Sequence, residues 1–335
     1  MSTEIASQQT GIQLQHPPDQ PISDQSLSQY GRQLRFDDKY LKQANVVCKR
    51  VCDAINGSDF KPERFSVSES HVCQEGIEDT GVDIVAYLNK SHDLNQARSN
   101  VENIVKEMGG QKLSTDEKNV LHFEMDNVRV NLGLSTSRGP TVSEHRKAVF
   151  QQTTKLDKEG KLHKDQIEKV SVDLHDSMSE FMRKNQDEFD LSAQRLARAW
   201  RQTALAPLGD WFSPVDAALI MQRALDSERQ RTSGTLAMRN VMRQFFNNLA
   251  NIEDMSMTFP DTSLYEWDIV PSWIQQQRPL LLDPVNPFRN PFSGIQGSVF
   301  KDIRTRAEEA LQLVESSASM SELFQVPPES ERRGA

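Results

Sequence analysis

Few residues of this chain have the type and spacing to do chemistry, and Asp83 is the first of them. It stands near the start of "GVDIVAYL", where Val82, Ile84, Ala86 and Leu88 alternate with Asp83, Val85 and Tyr87. Such alternation predicts a strand, and residues i and i+2 of a strand share a face. Two carboxylates at that spacing would offer the hard oxygen ligands that Mg²⁺ takes in octahedral geometry. The residue two before Asp83 is Gly81, which offers no side chain. A single carboxylate at a strand start also fits a solvated or turn-capping Asp with no site role. His71, His92, His122, His145, His163 and His175 are scattered, with no His/Cys pair at metal spacing. Cys48, Cys52 and Cys73 are odd in number and show no ligand spacing either. Cys48 and Cys52 fall on one face of a helical pattern, where they serve as small apolar groups, and a reducing compartment suits them.

The elements that must position Asp83 belong to a chain of 335 residues with a net charge of −9. That length allows one large or two ordinary domains. The acidic balance excludes unselective nucleic-acid binding by the whole surface, because phosphates are attracted by a basic field. A local basic patch is not excluded. No apolar run approaches the ~18–20 residues of a membrane helix, and the first residues lack the basic-then-apolar order of a secretory signal. No membrane role is therefore expected; the cytoplasm is the expected location, with the nucleus open.

Residues 1–28 and 316–335 are rich in polar residues and Pro and are expected to be disordered tails. Between them the pattern has two halves. From Tyr30 to Ile55 apolar residues recur with helical rhythm, and "RFSVSES" and "GVDIVAYL" read as strands. "NQARSNVENIVKEM" is a helix stopped by Gly109-Gly110, and "NVLHFEM" and "NVRVNLGLS" are two strands joined at Asp126-Asn127. From about Lys161 the chain is mostly helical, with apolar stripes over 164–185, 190–205, 213–227, 234–251 and 297–315. The extended "RPLLLDPVNPF" interrupts them. An α/β lobe (29–160) followed by a helical lobe (161–315) is expected, with a cleft between.

The order of these pieces resembles the 2′-5′ oligoadenylate synthetases, template-free members of the nucleotidyltransferase superfamily, over roughly residues 30–315. "RPLLLDPVNPF" is similar to that family's Arg-Pro-x-x-Leu-Asp-Pro-x-x-Pro segment. "LARAWRQ" resembles its Leu-Val-Lys-His-Trp helix, and "SPVDAALIM" follows where the family has Pro-Gln-Tyr-Ala-Leu. "SVFKDIRTRAEEAL" resembles the final Trp-x-x-Leu-Ala-x-Glu-Ala helix, with Phe300 in place of the aromatic. The fold implied is α+β: a two-lobed nucleotidyltransferase with a mixed sheet in the N-terminal lobe.

The resemblance also implies what is missing. Family members join ATP molecules with two Mg²⁺ ions held by an Asp-x-Asp pair and a third Asp on a neighbouring strand. Those positions fall on Gly81, Asp83 and Asn131, so one of three carboxylates is left. An Asn gives a neutral carbonyl oxygen. Each such loss is expected to cost on the order of 10²–10⁴-fold in rate. The family's Gly-rich phosphate loop corresponds to "SVSESHVCQEG", which keeps Ser68 and Ser70 but not the glycines or the Lys, and Glu69, Glu75, Glu78 and Asp79 add negative charge there. Arg195 and Arg198 match in type two basic residues that face the cleft and touch phosphates in the family. Their alternative is pairing with Glu188, Asp190 or the acidic loop. The family's substrate-contacting Gln falls on Val215 or Asp216.

The family binds double-stranded RNA on a basic surface. Candidates here are Arg32, Arg35, Lys39, Lys42 and Lys49, with Arg50 beside them and a second cluster of Lys155, Lys158, Lys161 and Lys164 in an expected interlobe loop. A solvated charged surface is the competing reading. Two functions follow. One is a catalytically inactive relative, without cofactor, that binds RNA or a protein partner, including a related chain in a heterodimer. The other is a divergent synthetase or nucleotidyltransferase using ATP and Mg²⁺ through a carboxylate placed elsewhere, such as Glu78 or Asp79.

Overall fold

The computed structural model describes residues 17–35, 38–67, 82–116, 119–184, 186–205, 212–259 and 263–325. The chain opens with α1 (Asp24–Gln33), capped by a Ser23/Ser26 box, and α2 (Asp38–Asn56). Five strands follow, with α3 (Leu94–Glu107) between the second and third: β1 (Arg64–Val67), β2 (Val82–Leu88), β3 (Gln111–Thr115), β4 (Leu121–Met125) and β5 (Val128–Thr136). The rest is helical: α4 (Val142–Lys158), α5 (Lys164–Asp173), α6 (His175–Arg183), α7 (Glu188–Ala204), α8 (Pro214–Arg231), α9 (Met238–Ala250), α10 (Ser272–Gln275), α11 (Gly297–Ser316) and α12 (Met320–Leu323). Two short strands, β6 (Ser256–Met257) and β7 (Leu280–Leu281), pair in parallel within it.

The sheet order is β1-β2-β5-β4-β3. Only the β2–β5 pair is parallel; the other three are antiparallel. Alternation gives the sheet two faces of different character. Val82, Ile84, Ala86, Val130, Leu132, Leu121 and Phe123 point to one side and form a core with α2 and α3, through Val47, Val51, Val101 and Val105. The other face carries Asp83, Tyr87, Asn131, Ser135 and His122, and part of it lies against α5 and α6. Contact there is polar: Ser135 Oγ donates to Asp173 Oδ1 at 2.6 Å, and Ser66 Oγ lies 2.9 Å from His175 Nδ1. Arg64 Nη2 meets Asp176 Oδ2 at 2.8 Å, with its guanidinium 4.0 Å above the Tyr87 ring. Gly133 leaves room where α5 crosses, since a Cβ there would stand a tight 3.0 Å from Val172 Cγ1.

The helical lobe has its own core, with Trp200 of α7 edge-on to Phe245 and Phe246 of α9 at 5.9 and 5.0 Å. It does not have the boundaries expected from composition. Ile22, Leu27 and Tyr30 are buried in it, as are Met320, Leu323 and Phe324. Ile22 N donates to Ala318 O and Met320 N to Gln20 O, each at 2.8 Å, so the described parts of both expected tails clasp one another. The sparse apolar residues of these segments are the ones that are covered. Residues 1–16 and 326–335 lie outside the described residues.

Two further differences concern the middle of the chain. The helical run from Tyr30 is two helices, and α1 packs on α7 and α9 rather than on the sheet. Lys155 and Lys158 sit on α4, not in a loop, and Val149 and Phe150 of α4 belong to the helical core. The α/β lobe therefore ends with β5. No helix of the described residues is long and apolar enough to cross a membrane.

Candidate functional site

The geometry at Asp83 follows from two strand registers. The parallel β2–β5 pair sets Asp83 opposite Asn131. The two-residue turn at Asp126-Asn127, both with positive φ, fixes the β4–β5 hairpin so that His122 also lies opposite Asn131. All three side chains project from the polar face. Asn131 Nδ2 donates to Asp83 Oδ1 at 2.7 Å, and its Oδ1 accepts from His122 Nδ1 at 2.7 Å. His122 Nε2 lies 3.2 Å from Asp116 Oδ2 beyond the end of β3. The amide orientation is determined by these partners, because the reverse would set two oxygens against each other at Asp83.

The row Asp83–Asn131–His122–Asp116 is thus a chain of polar groups running across the sheet, each half-buried. One Asp83 oxygen takes the amide hydrogen, and the Asn131 oxygen takes an imidazole hydrogen. Two Mg²⁺ ions need carboxylate oxygens converging at about 2.0–2.1 Å. The described donors do not fit that demand: among them no group of three or more His, Cys, Asp or Glu could hold a metal ion. Gly81, Ser68 and Ser70, with Glu69, Glu75, Glu78 and Asp79, lie outside the described residues.

Near Asp83, His175 is bonded to Ser66, and burial holds its pKa below the usual value against the opposing pull of Asp83 and Asp176. His145 is also held below its usual value by burial. Its Nδ1 accepts from Arg138 N at 3.0 Å and its Nε2 donates to Asp173 O at 2.8 Å, so the neutral ring is fully bonded.

Neither Arg195 nor Arg198 is an exposed side chain. Arg195 is completely buried, with Nη1 donating to Gly31 O at 3.3 Å and to Glu188 Oε1 at 3.0 Å. It ties α7 to α1, which is the pairing alternative for this residue. Arg198 is buried too. The helix is capped by Asp187, and the buried Asp190 pairs with Arg229 at 2.5 Å. Asp216, at the position of the family's substrate-contacting Gln, closes a capping box with Ser213 and lies 3.6 Å from Arg289; Val215 is partly exposed.

The basic candidates are on the surface. Arg32, Arg35, Lys39 and Lys42 are exposed, while Lys49 is exposed but paired with Asp53 at 2.5 Å, and Arg50 is paired with Asp126. Lys39, Lys42 and Lys49 lie along the outer side of α2 with the exposed Val46 among them. In the second cluster Lys155 and Lys161 both face Glu159. Cys48 is buried and Cys52 half-buried, and burial pushes their thiols up to about 12 and about 11.

Sequence reasoning set His122 and His175 among scattered histidines and joined neither to Asp83, and it passed over Asp116 and Ser66. A signal for His122 was there: a two-residue turn at 126–127 pairs residues equidistant from it, which sets 122 against 131.

Comparison with solved structures shows the fold. CdnC of E. coli MS115-1, solved with ATP, superposes with a TM-score of 0.63 at 15% identity, covering 88% of this chain and 92% of that one. The CdnC:HORMA-deltaN complex gives a TM-score of 0.65 at 14% identity, covering 88% and 91%. The Cid1 RNA terminal uridylyl transferase gives 0.61 at 11% identity, covering 91% of this chain and all of that one. The chain has the two-lobed nucleotidyltransferase fold. No protein-family model matches it, and no curated protein matches it by sequence.

Proposed function

We propose that this protein is a nucleotidyltransferase-fold relative of the oligoadenylate synthetases that has given up metal-dependent phosphoryl transfer and works by binding. The observation that carries the reading is the Asn131 amide, bonded at 2.7 Å to both Asp83 and His122. A hydrogen-bonded amide stands where chemistry on a triphosphate would need a second anion. Its ligand is RNA, double-stranded by the family resemblance, held on the exposed basic residues Arg32, Arg35, Lys39, Lys42 and Lys49; a protein partner, including a related chain, is the other arm. The setting for such a protein is the cytoplasm, with the nucleus as the alternative.

The test uses the full chain with ATP, Mg²⁺ and double-stranded RNA. No 2′-5′-linked product is expected, while RNA binding weakens with salt. Replacing Lys39 and Lys42 by Ala is expected to lower the slope of log affinity against log salt by about 0.9 for each phosphate that the protein no longer neutralises. Product that disappears in Asp83→Ala would overturn the inactive reading. RNA binding that is absent, or indifferent to both lysines, would remove RNA as the ligand and leave the protein partner.

A further inference from the structure

An open pocket of about 410 Å³ is walled by α8, the last turn of α9 and the segment that leads into β6. Two opposite charges line it, Arg223 from α8 and Asp254 from the turn after α9. They form no ion pair with one another, and neither side chain has a hydrogen bond or ion pair among the described residues. Arg223 is half-buried, and it is alone among the half-buried arginines of the described residues in having no acceptor. The charges beside the two are already taken. Asp226, one turn along from Arg223, accepts from Gln222 at 3.0 Å and lies 3.9 Å from Arg229. Glu253, next to Asp254, is paired with Arg304. The last turn of α9 has no basic residue, so the negative end of that helix adds to the charge of Asp254.

From two unmet and opposite charges in one pocket we infer a binding site for a small zwitterion, an α-amino acid with an uncharged polar side chain. Its carboxylate accepts from the planar fork of Arg223, whose donors match two oxygens at once. Its ammonium donates to Asp254 and is drawn to the negative end of α9. Ligand and charged pair are each neutral overall, so the match is charge for charge. The other polar groups on the wall are the Ser227 hydroxyl and the carboxamides of Asn247, Asn248 and Asn251. Hydroxyls and carboxamides both donate and accept, which suits an amide or hydroxyl side chain and offers no counter-charge to an ionised one. A phosphomonoester would satisfy Arg223 but would set its second negative charge against Asp254. Guanine presents acceptors to an arginine and donors to a carboxylate, yet being uncharged it would leave both charges without a counter-charge.

The experiment is a saturation-transfer NMR titration of the full chain with L-glutamine, N-acetyl-L-glutamine, L-glutaminamide, inorganic phosphate and guanosine at matched ionic strength. Glutamine is expected to bind best, with a dissociation constant on the order of a millimolar for so small a ligand in an open site. The acetylated form, which lacks the ammonium, and the amide, which lacks the carboxylate, are each expected to bind about tenfold more weakly. Asp254→Asn, at an exposed position, is expected to weaken glutamine by about tenfold and to leave the acetylated form unchanged. Arg223→Gln is expected to weaken glutamine by a similar factor and to leave the amide unchanged. Acetylated and amidated forms that bind as well as glutamine would overturn the site, as would variants that weaken all three ligands equally. Tighter binding of phosphate or guanosine, or no binding of glutamine, would overturn it too.

Discussion

At the scale of single residues, Asn131 decides what the sheet can do. Its side chain donates to one neighbour and accepts from another, so each end is matched to a specific partner. Asn131→Asp would replace the donor facing Asp83 with a second negative oxygen. Without metal, this variant is expected to lose roughly 1–3 kcal/mol of stability, the usual cost of a half-buried polar group deprived of its partner. With Mn²⁺ present, part of that loss should be recovered, because two adjacent carboxylates now face one cation. Urea denaturation with and without Mn²⁺ measures both effects. A variant as stable as the parent, and indifferent to Mn²⁺, would show that the amide is not what holds the row together. Arg195 teaches a different lesson at the same scale. Its helical position was plain in the sequence, but its burial was not. Gly31 presses so closely on α7 that a Cβ there would stand 2.7 Å from Ser192 O. The guanidinium is covered because α1 arrives from a distant part of the chain, and no local pattern encodes that arrival.

At the scale of elements, α5 and α6 are attached to the sheet by polar contacts rather than by an apolar seam, and this makes the junction sensitive to acid. His145 and His175 are both held below their ordinary pKa, chiefly by burial. The folded protein therefore binds fewer protons than the unfolded chain below about pH 6.5. Stability from these rings is complete above that pH and is lost as the pH falls towards their folded values. The urea midpoint is expected to drop between pH 7.5 and 5.5, and the drop should be smaller in His145→Gln, which keeps a donor and an acceptor but does not titrate. An unchanged slope in that variant would remove His145 from the account. Elements also differ in how legible they were. The strands β2, β4 and β5 and the α7 stripe of Leu196, Ala197 and Trp200 announce themselves by period. Two of the four buried positions of α4 are His145 and Thr153, so its apolar stripe is broken and the helix did not stand out. β3 has no buried residue at all, and alternation has nothing to report there.

At the scale of the whole molecule, α1 is part of the helical lobe although it precedes the α/β lobe in the chain. Ile22, Leu27, Tyr30 and Leu34 are buried there. At about 1.5–3 kcal/mol for each large apolar side chain, their removal would cost an amount comparable with the roughly 5–15 kcal/mol by which a domain is stable. A chain beginning after residue 34 is accordingly expected to be insoluble or to lack a cooperative thermal transition. A soluble truncated chain that melts like the parent would show that α1 is dispensable. The fold class was legible because period and turn residues mark the order of strands and helices along the chain. The location of the first helix was not, because composition marks a polar segment as a tail without regard to the few side chains it buries.

The α/β lobe is threaded into the helical one as an insert: the chain leaves α1, builds the sheet, and returns at α4. Two separate strands of backbone therefore suspend it. A single cut at either crossing would sever the chain yet leave the lobes joined, by the other crossing and by the contacts of α5 and α6 with the sheet.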